Sequence, residues 1–347
     1  MNDSLQALMR AATRLTQSGH LQQATAAIQR ALGRAAKTDP SPVAQVLDGC
    51  VFERDVGIGP DAAPGAGTFT SGSHSQAQLT RAYKLYVPPG ASGRALPLVV
   101  MLHGCTQDPD DFAAGTAMNE RAREQGFFVL YPAQSQDANP SRCWNWFKHN
   151  HQQRGRGEPA VLAGMTLAVM QQHGIDPRRI YIAGLSAGGA MAAIVAALYP
   201  EIFAAVGVHS GLAHGAASSL PEALAAMRTG AGTATVPAGR VPTIVFHGDA
   251  DRTVHPRNGE QVIAAARSGS TAASQVEQAV CRQGRPHTRS SYPADTGGVA
   301  AEHWLLHGAG HAWSGGQAAG SFTDAKGPDA TREMLRFFFQ HPQAPLH

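Results

Sequence analysis
The stretch Ile180-Tyr181-Ile182-Ala183-Gly184-Leu185-Ser186-Ala187-Gly188-Gly189-Ala190-Met191 decides how this chain is read. Residues 180–183 form an apolar run of strand length. They lead directly into Gly-x-Ser-x-Gly, and a small-residue segment over 188–199 with helical character follows at once. A serine at a sharp strand-to-helix turn stands above the end of a sheet, at a helix N-terminus. The two glycines suit such a turn because strand and helix come so close that a Cβ would clash. With 38 glycines in 347 residues the five-residue pattern is weak alone; its position between strand and helix gives it meaning. The competing reading is a glycine-rich packing turn with an incidental serine.

Outward from this point the chain alternates. Strands are expected at Tyr83–Val87, Leu96–Leu102, Phe127–Tyr131, 180–183, Ala204–Val208, Thr243–Phe246 and Glu302–Leu306. Helices are expected over 111–125, 158–173, 188–199 and 328–340. The strand runs are apolar without period-two alternation, as in a parallel sheet covered on both faces. Ligands of such sheets bind beyond the carboxyl ends of the strands. Residues 1–36 read as a helical hairpin, with Leu5, Leu8, Met9, Ala12 and Leu15 at helical spacing, then Leu21, Ala24, Ile28 and Leu32 after a break at Ser18-Gly19-His20. Residues 37–78, rich in Gly, Pro, Ala and Ser, read as a linker with an early strand, and 79–342 as the catalytic domain.

Composition narrows the function classes. The chain is 43% apolar and 15% charged with a formal net charge of +3. That charge is too small and too dispersed for the clustered basic face of a nucleic-acid binder. No apolar run reaches the roughly 18 residues of a membrane helix. Met1–Gln6 lacks a charged segment followed by an apolar one, so the expected compartment is the cytoplasm, with an extracellular location as the alternative. Cys50, Cys105, Cys143 and Cys281 permit three full pairings and contain no Cys-x-x-Cys.

The chemistry-bearing residues follow the expected strands. A serine hydroxyl is a poor nucleophile until a base takes its proton. His311, in His307-Gly308-Ala309-Gly310-His311-Ala312-Trp313, follows the final strand, where the base belongs in the chain order Ser, Asp, His. The acid should follow an earlier strand, and His247-Gly248-Asp249-Ala250-Asp251 offers two aspartates. The pattern H-G-x-x-D-x-x-V resembles the one in many α/β-hydrolases, and that resemblance selects Asp251, with Asp249 in reserve as a turn residue. Asp251 would accept the His311 Nδ1–H and fix its tautomer. Two backbone N–H groups are needed for the oxyanion: that of Ala187 and that of Cys105, in the loop after the Leu96–Leu102 strand. His303, His307 and His311 are spaced like metal ligands on a helix, but strand character and two glycines interrupt them. No metal and no cofactor is expected.

Four segments in order, Leu102-His103-Gly104-Cys105-Thr106-Gln107, Cys143-Trp144-Asn145-Trp146-Phe147, Gly184–Met191 and His307–Gly316, resemble the polyhydroxybutyrate depolymerase family of esterases and its feruloyl and acetylxylan esterase relatives. The resemblance spans roughly residues 75–340. It implies the α/β-hydrolase fold, a Ser186–Asp251–His311 triad with oxyanion donors at Cys105 and Ala187, and a disulfide between Cys105 and Cys143. The expected substrate is a poly- or oligo(3-hydroxybutyrate) or other hydroxyalkanoate ester. A feruloyl, acetylxylan or short-chain ester is the alternative, and a non-catalytic binding module on the same fold is the rival from another class. Trp144, Asn145 and Trp313 are candidate substrate contacts, against a reading in which the rings only fill the core. Residues 1–36 are a candidate dock for a polymer granule or partner protein.

Overall fold
The computed structural model describes residues 65–344, except 77, 233–240, 268–272 and 295–298. The readings made for residues 1–36, and most of the 37–78 segment, lie outside the described residues.

A sheet of ten strands forms the centre. In chain order they are β1 Thr68–Gln76, β2 Leu79–Val87, β3 Leu98–Leu102, β4 Phe128–Pro132, β5 Ile180–Leu185, β6 Ala205–His209, β7 Thr243–Gly248, β8 Gln275–Val280, β9 Pro286–Pro293 and β10 Val299–Leu306. Their order across the sheet is β1-β2-β4-β3-β5-β6-β7-β10-β9-β8. The six strands from β4 to β10 in that order run parallel. The flanking pairs at both edges are antiparallel. The sheet begins at Thr68, inside the segment read as a linker with an early strand, and β1 pairs with β2 along its whole length. A separate two-stranded sheet joins β11 Trp313–Ser314 to β12 Thr323–Asp324.

The helices are α1 Pro109–Thr116, α2 Met118–Gln125, α3 Gly157–His173, α4 Ala187–Leu198, α5 Leu220–Thr229, α6 Arg257–Ala266 and α7 Ala330–Phe339, with a 3₁₀ turn at His149–Gln152. The helix expected over 111–125 is two helices. Asp108 caps the first through Asp111 N–H, and Ala117, left-handed at φ 52°, separates it from the second.

Alternate residues of the parallel strands enter two separate cores. Leu98, Val100, Leu102, Ile180, Ile182, Val206 and Val208 pack with α3, α4 and α6. Val99, Met101, Tyr181, Ala183, Leu185, Ile244 and Phe246 pack with α1, α2 and α7. Both faces are therefore dry, which is why these strands are mainly apolar, with the few polar side chains, such as His209, buried. β8 has no such cover. Val276 and Val280 are exposed, and the strand is polar between them.

β5 lies at the middle of the sheet, between β3 and β6. At its end a Cβ on Gly184 would meet the backbone of Gly188, and one on Gly188 would be driven into the Leu102 and His103 carbonyls. Backbone atoms cannot swing aside as a side chain can. Gly188→Ala is therefore expected to cost about 3 kcal/mol, seen as a lower urea midpoint with an unchanged m-value.

Candidate active site
Ser186 sits between β5 and α4 at φ 58°, ψ −120°. A non-glycine residue in this region carries strain of about 1–3 kcal/mol. The structure keeps it because Ser186 is fixed on both sides: its N–H donates to His209 O at 2.9 Å and its carbonyl accepts from Ala190 N–H at 2.9 Å. Ala187 is the first residue of α4, and the first amides of a helix have no intrahelical acceptor.

The loop after β3 comes beside this turn, since a Cβ on Gly104 would stand 3.7 Å from Ser186 Cβ. Its neighbours of Cys105 are committed elsewhere. Gly104 N–H donates to Gln107 Oε1 at 2.9 Å, and Thr106 N–H to Ser141 O at 2.7 Å. The Gln107 amide in turn donates to Asp111 Oδ2 at 2.8 Å and Ser321 O at 3.1 Å. His103 is buried beneath the loop. Gln134 N–H donates to its Nε2, so its Nδ1 carries a proton and donates to Gly104 O. Burial pushes its pKa down, against weaker opposing contacts, and so favours that neutral form.

Asp251 and His311 are joined. His311 Nδ1 lies 2.6 Å from Asp251 Oδ2, and the Asp251 side chain is fully buried. Asp251 Oδ1 accepts the N–H groups of Thr253 at 2.8 Å and Val254 at 2.9 Å, and Oδ2 also faces His247 Nε2 at 3.5 Å. Burial pushes the Asp251 carboxyl up, but hydrogen bonds from His247, His311 and the Val254 amide outweigh it and hold the group far below the usual carboxylate range. Asp249 is occupied otherwise: it accepts from His307 Nδ1 at 2.9 Å and Gly308 N–H at 2.7 Å. His307 Nε2 meets Thr288 Oγ1 at 2.9 Å. The second His–Asp pair thus ties the start of the His311 loop to β9.

The metal-like spacing of three histidines dissolves in three dimensions. His303 lies buried in β10, its pKa pushed down to about 4 by burial and then by His247. Among the described residues no group of three or more His, Cys, Asp or Glu side chains could hold a metal ion.

The three candidate substrate contacts are corrected. Trp144, Asn145 and Trp313 are at most 2% exposed, and their polar atoms are used internally. Trp144 Nε1 donates to His103 O, Trp313 Nε1 to Thr331 Oγ1, and Asn145 Nδ2 to Glu158 Oε1. They brace the site and present no surface to a substrate. Cys105 and Cys143 form a disulfide that ties the Trp144 segment to the loop after β3.

Sequence reasoning missed Glu158, hidden in the first turn of an ordinary helix. Its fully buried carboxylate takes Arg81 Nη2 at 3.3 Å, Asn145 N at 2.8 Å, Asn145 Nδ2 at 2.8 Å and the Gln134 amide, and it faces His151 Nδ1 at 3.3 Å. Burial raises its pKa, but His151 and the amides more than offset this and lower it overall. Glu158→Gln leaves Arg81 buried without its counter-charge, with an expected loss of about 3–5 kcal/mol near neutral pH. A depressed carboxyl contributes stability above the unfolded pKa of about 4.3 and loses it as pH falls through the folded value. The gap between wild type and variant in urea denaturation should therefore close on acidification below about pH 4.

His209 was missed as well. It is fully buried at the end of β6, with Ser314 N–H donating to its Nε2 at 3.0 Å. Burial, then the fields of His247 and His311, pushes its pKa well below the ordinary histidine value.

Against known proteins, the family model described as Esterase PHB depolymerase matches residues 81–269. Poly(3-hydroxyalkanoate) depolymerase C of Paucimonas lemoignei is 34% identical over 191 residues, covering 51% of this chain and 46% of that protein. Feruloyl esterase B of Neurospora crassa is 33% identical over 39% of this chain and 47% of its own length. Acetylxylan esterase A of Talaromyces purpureogenus is 28% identical over 50% of each. The chain thus spans about half the length of the curated relatives it matches. Among solved structures, an acetyl xylan esterase from Aspergillus awamori superposes with a TM-score of 0.63 at 19% identity, covering 79% of this chain and 99% of that one. At that identity the fold is what is shared, and it is the α/β-hydrolase fold.

Proposed function
The chain belongs to the esterase PHB depolymerase family, and from that premise we propose that it is a serine carboxylesterase acting on hydroxyalkanoate esters through Ser186, His311 and Asp251. The observation that carries this reading is the 2.6 Å His311–Asp251 pair, on a loop whose Ser314 amide bonds His209, the residue whose carbonyl holds the amide of the strained Ser186. Ser186 Oγ attacks the ester carbonyl while His311 Nε2 takes its proton. Asp251 holds the imidazole in the tautomer with the proton on Nδ1 and stabilises the imidazolium. The amides of Cys105 and Ala187 receive the charge that develops on the carbonyl oxygen. The alcohol departs with the proton from His311. Water then attacks the acyl-enzyme by the same route and the acid is released. No step calls on a cofactor.

The substrate class follows the 34% identity to the Paucimonas lemoignei depolymerase. A second reading, cleavage of feruloyl or acetyl esters, is supported by the 33% and 28% relatives. Rates on 3-hydroxybutyrate oligomers, the polymer, a feruloyl ester, an acetylated xylan and a simple short-chain ester separate the two. Fastest turnover of the hydroxybutyrate oligomers is expected. Fastest turnover of the feruloyl or acetyl ester would transfer the assignment to the second reading and leave the mechanism standing.

The compartment read from the sequence was the cytoplasm. The Cys105–Cys143 bridge supports the extracellular alternative, since structural disulfides persist where the surroundings are oxidising. Among the described residues no helix is long and apolar enough to cross a membrane.

A further inference from the structure
We propose that His209 is a positioning residue that fixes the nucleophile turn relative to the loop carrying the general base. The assignment rests on the reading of Ser186 and His311 as nucleophile and base. His209 offers two acceptors on opposite sides. Its backbone carbonyl takes Ser186 N–H at 2.9 Å, and its ring Nε2 takes Ser314 N–H at 3.0 Å, three residues beyond His311. The second bond settles the tautomer. A backbone amide only donates, so Nε2 is unprotonated and the proton lies on Nδ1, which meets Ser210 Oγ at 3.1 Å.

The ring also has fixed neighbours on its faces. It stacks on Phe246 at 5.7 Å and on Trp313 at 5.1 Å, with interplanar angles of 16° and 28°. Phe246 belongs to β7, which leads into Asp251, and Trp313 is two residues from His311. One buried imidazole therefore touches the segments bearing all three reacting side chains. A protonated ring would turn Nε2 from acceptor to donor and set two N–H groups against each other. It would also place a positive charge beside the His311 imidazolium. Burial favours the neutral form and so preserves the acceptor.

The step assisted is the proton transfer from Ser186 to His311, whose rate depends on their separation. Substrate binding does not use this bond, so kcat should fall and KM should stay. The test compares His209→Leu, which removes the acceptor, with His209→Gln, whose amide oxygen reaches the Nε2 position. Hydrolysis of p-nitrophenyl butyrate is measured per active site, counted by a serine-directed phosphonate. His209→Leu is expected to lose about 10²-fold in kcat per labelled site, with KM within about threefold of wild type. His209→Gln should recover to within about fivefold of wild type.

Wild-type kcat per site in His209→Leu would overturn the proposal. So would equal losses in the Leu and Gln variants, which would mean that burial or stacking matters and the acceptor does not. If His209→Leu does not fold, His209→Gln is compared with His209→Asn, whose amide stops short of Ser314. Gln must then exceed Asn by about tenfold or more, and equal rates overturn the idea. A wild type that is not labelled at Ser186 would instead defeat the nucleophile assignment, an outcome separable from all of these.

Discussion

Ser186→Ala is expected to lower ester hydrolysis by on the order of 10⁶-fold while the protein stays folded. The hydroxyl is the only atom lost, and nothing nearby replaces it. Cys105, on the neighbouring loop, is held in a disulfide, the Ser210 hydroxyl is engaged by the His209 ring, and Thr288, which meets His307, lies out on β9. Any rate left would come from oriented water and the oxyanion amides. Ser186→Gly provides an internal control. It should be just as inactive, yet more stable than the alanine variant by roughly 1 kcal/mol, because glycine adopts φ 58° without a clashing Cβ. Steady-state hydrolysis beside urea denaturation reads both effects. Hydrolysis by Ser186→Ala at the wild-type rate would remove the serine mechanism altogether.

Asp251→Asn is expected to cost about 10⁴-fold in kcat. The orientation of the introduced amide is dictated by its surroundings. Thr253 and Val254 both donate N–H groups to Oδ1, so the amide oxygen must remain there. The NH₂ is then turned toward His311 Nδ1, which must accept instead of donate. That forces the proton onto Nε2, where it cannot receive one from Ser186. A pH profile distinguishes this from simple loss of charge, because hydroxide can partly replace the missing base and activity should climb at high pH. In stability, the depressed carboxyl of wild-type Asp251 contributes above the unfolded pKa of about 3.9, and the advantage disappears as pH falls toward the lower folded value. Thermal scans of both proteins between pH 7 and pH 3 should therefore show the difference narrowing below about pH 4 without closing.

The parts of the fold that were legible in sequence were those where one physical demand acts alone. β3, β5, β6 and β7 are buried on both faces, so their runs are mainly apolar and plain to read. Ser186 and Asp251 were singled out as candidates because each follows such a run, and His311 because it follows the last strand of the sheet in the chain. β8 and β9 were missed, since a polar, exposed edge pair has no burial pattern to read. The break at Ala117 was missed because alanine gives no sign of a left-handed backbone. His209, Gln107 and Glu158 escaped for another reason. Their partners lie far along the chain: Ser314 from His209, Ser321 from Gln107, Arg81 from Glu158. The tryptophans misled because a large ring beside a motif suits a cleft wall as well as a brace. Only the hydrogen bonds of Trp144 and Trp313 to His103 and Thr331 separate the two.

The central placement of β5 and the late arrival of its partners also matter while the chain is being made. Ser186 leaves the ribosome well before β7, β10 and the loop that bears His311. At about 5–20 residues per second, the base follows the nucleophile by roughly 6–25 s. Through that interval β5 can pair with β3 and β6, and the strained serine is set in place without His311, the base of the proposed mechanism. On the proposed mechanism the nascent chain stays silent until His311 is made and its loop docks through the Ser314 amide on His209. A message cut short before that codon is expected to yield a chain with the serine turn formed and no esterase activity.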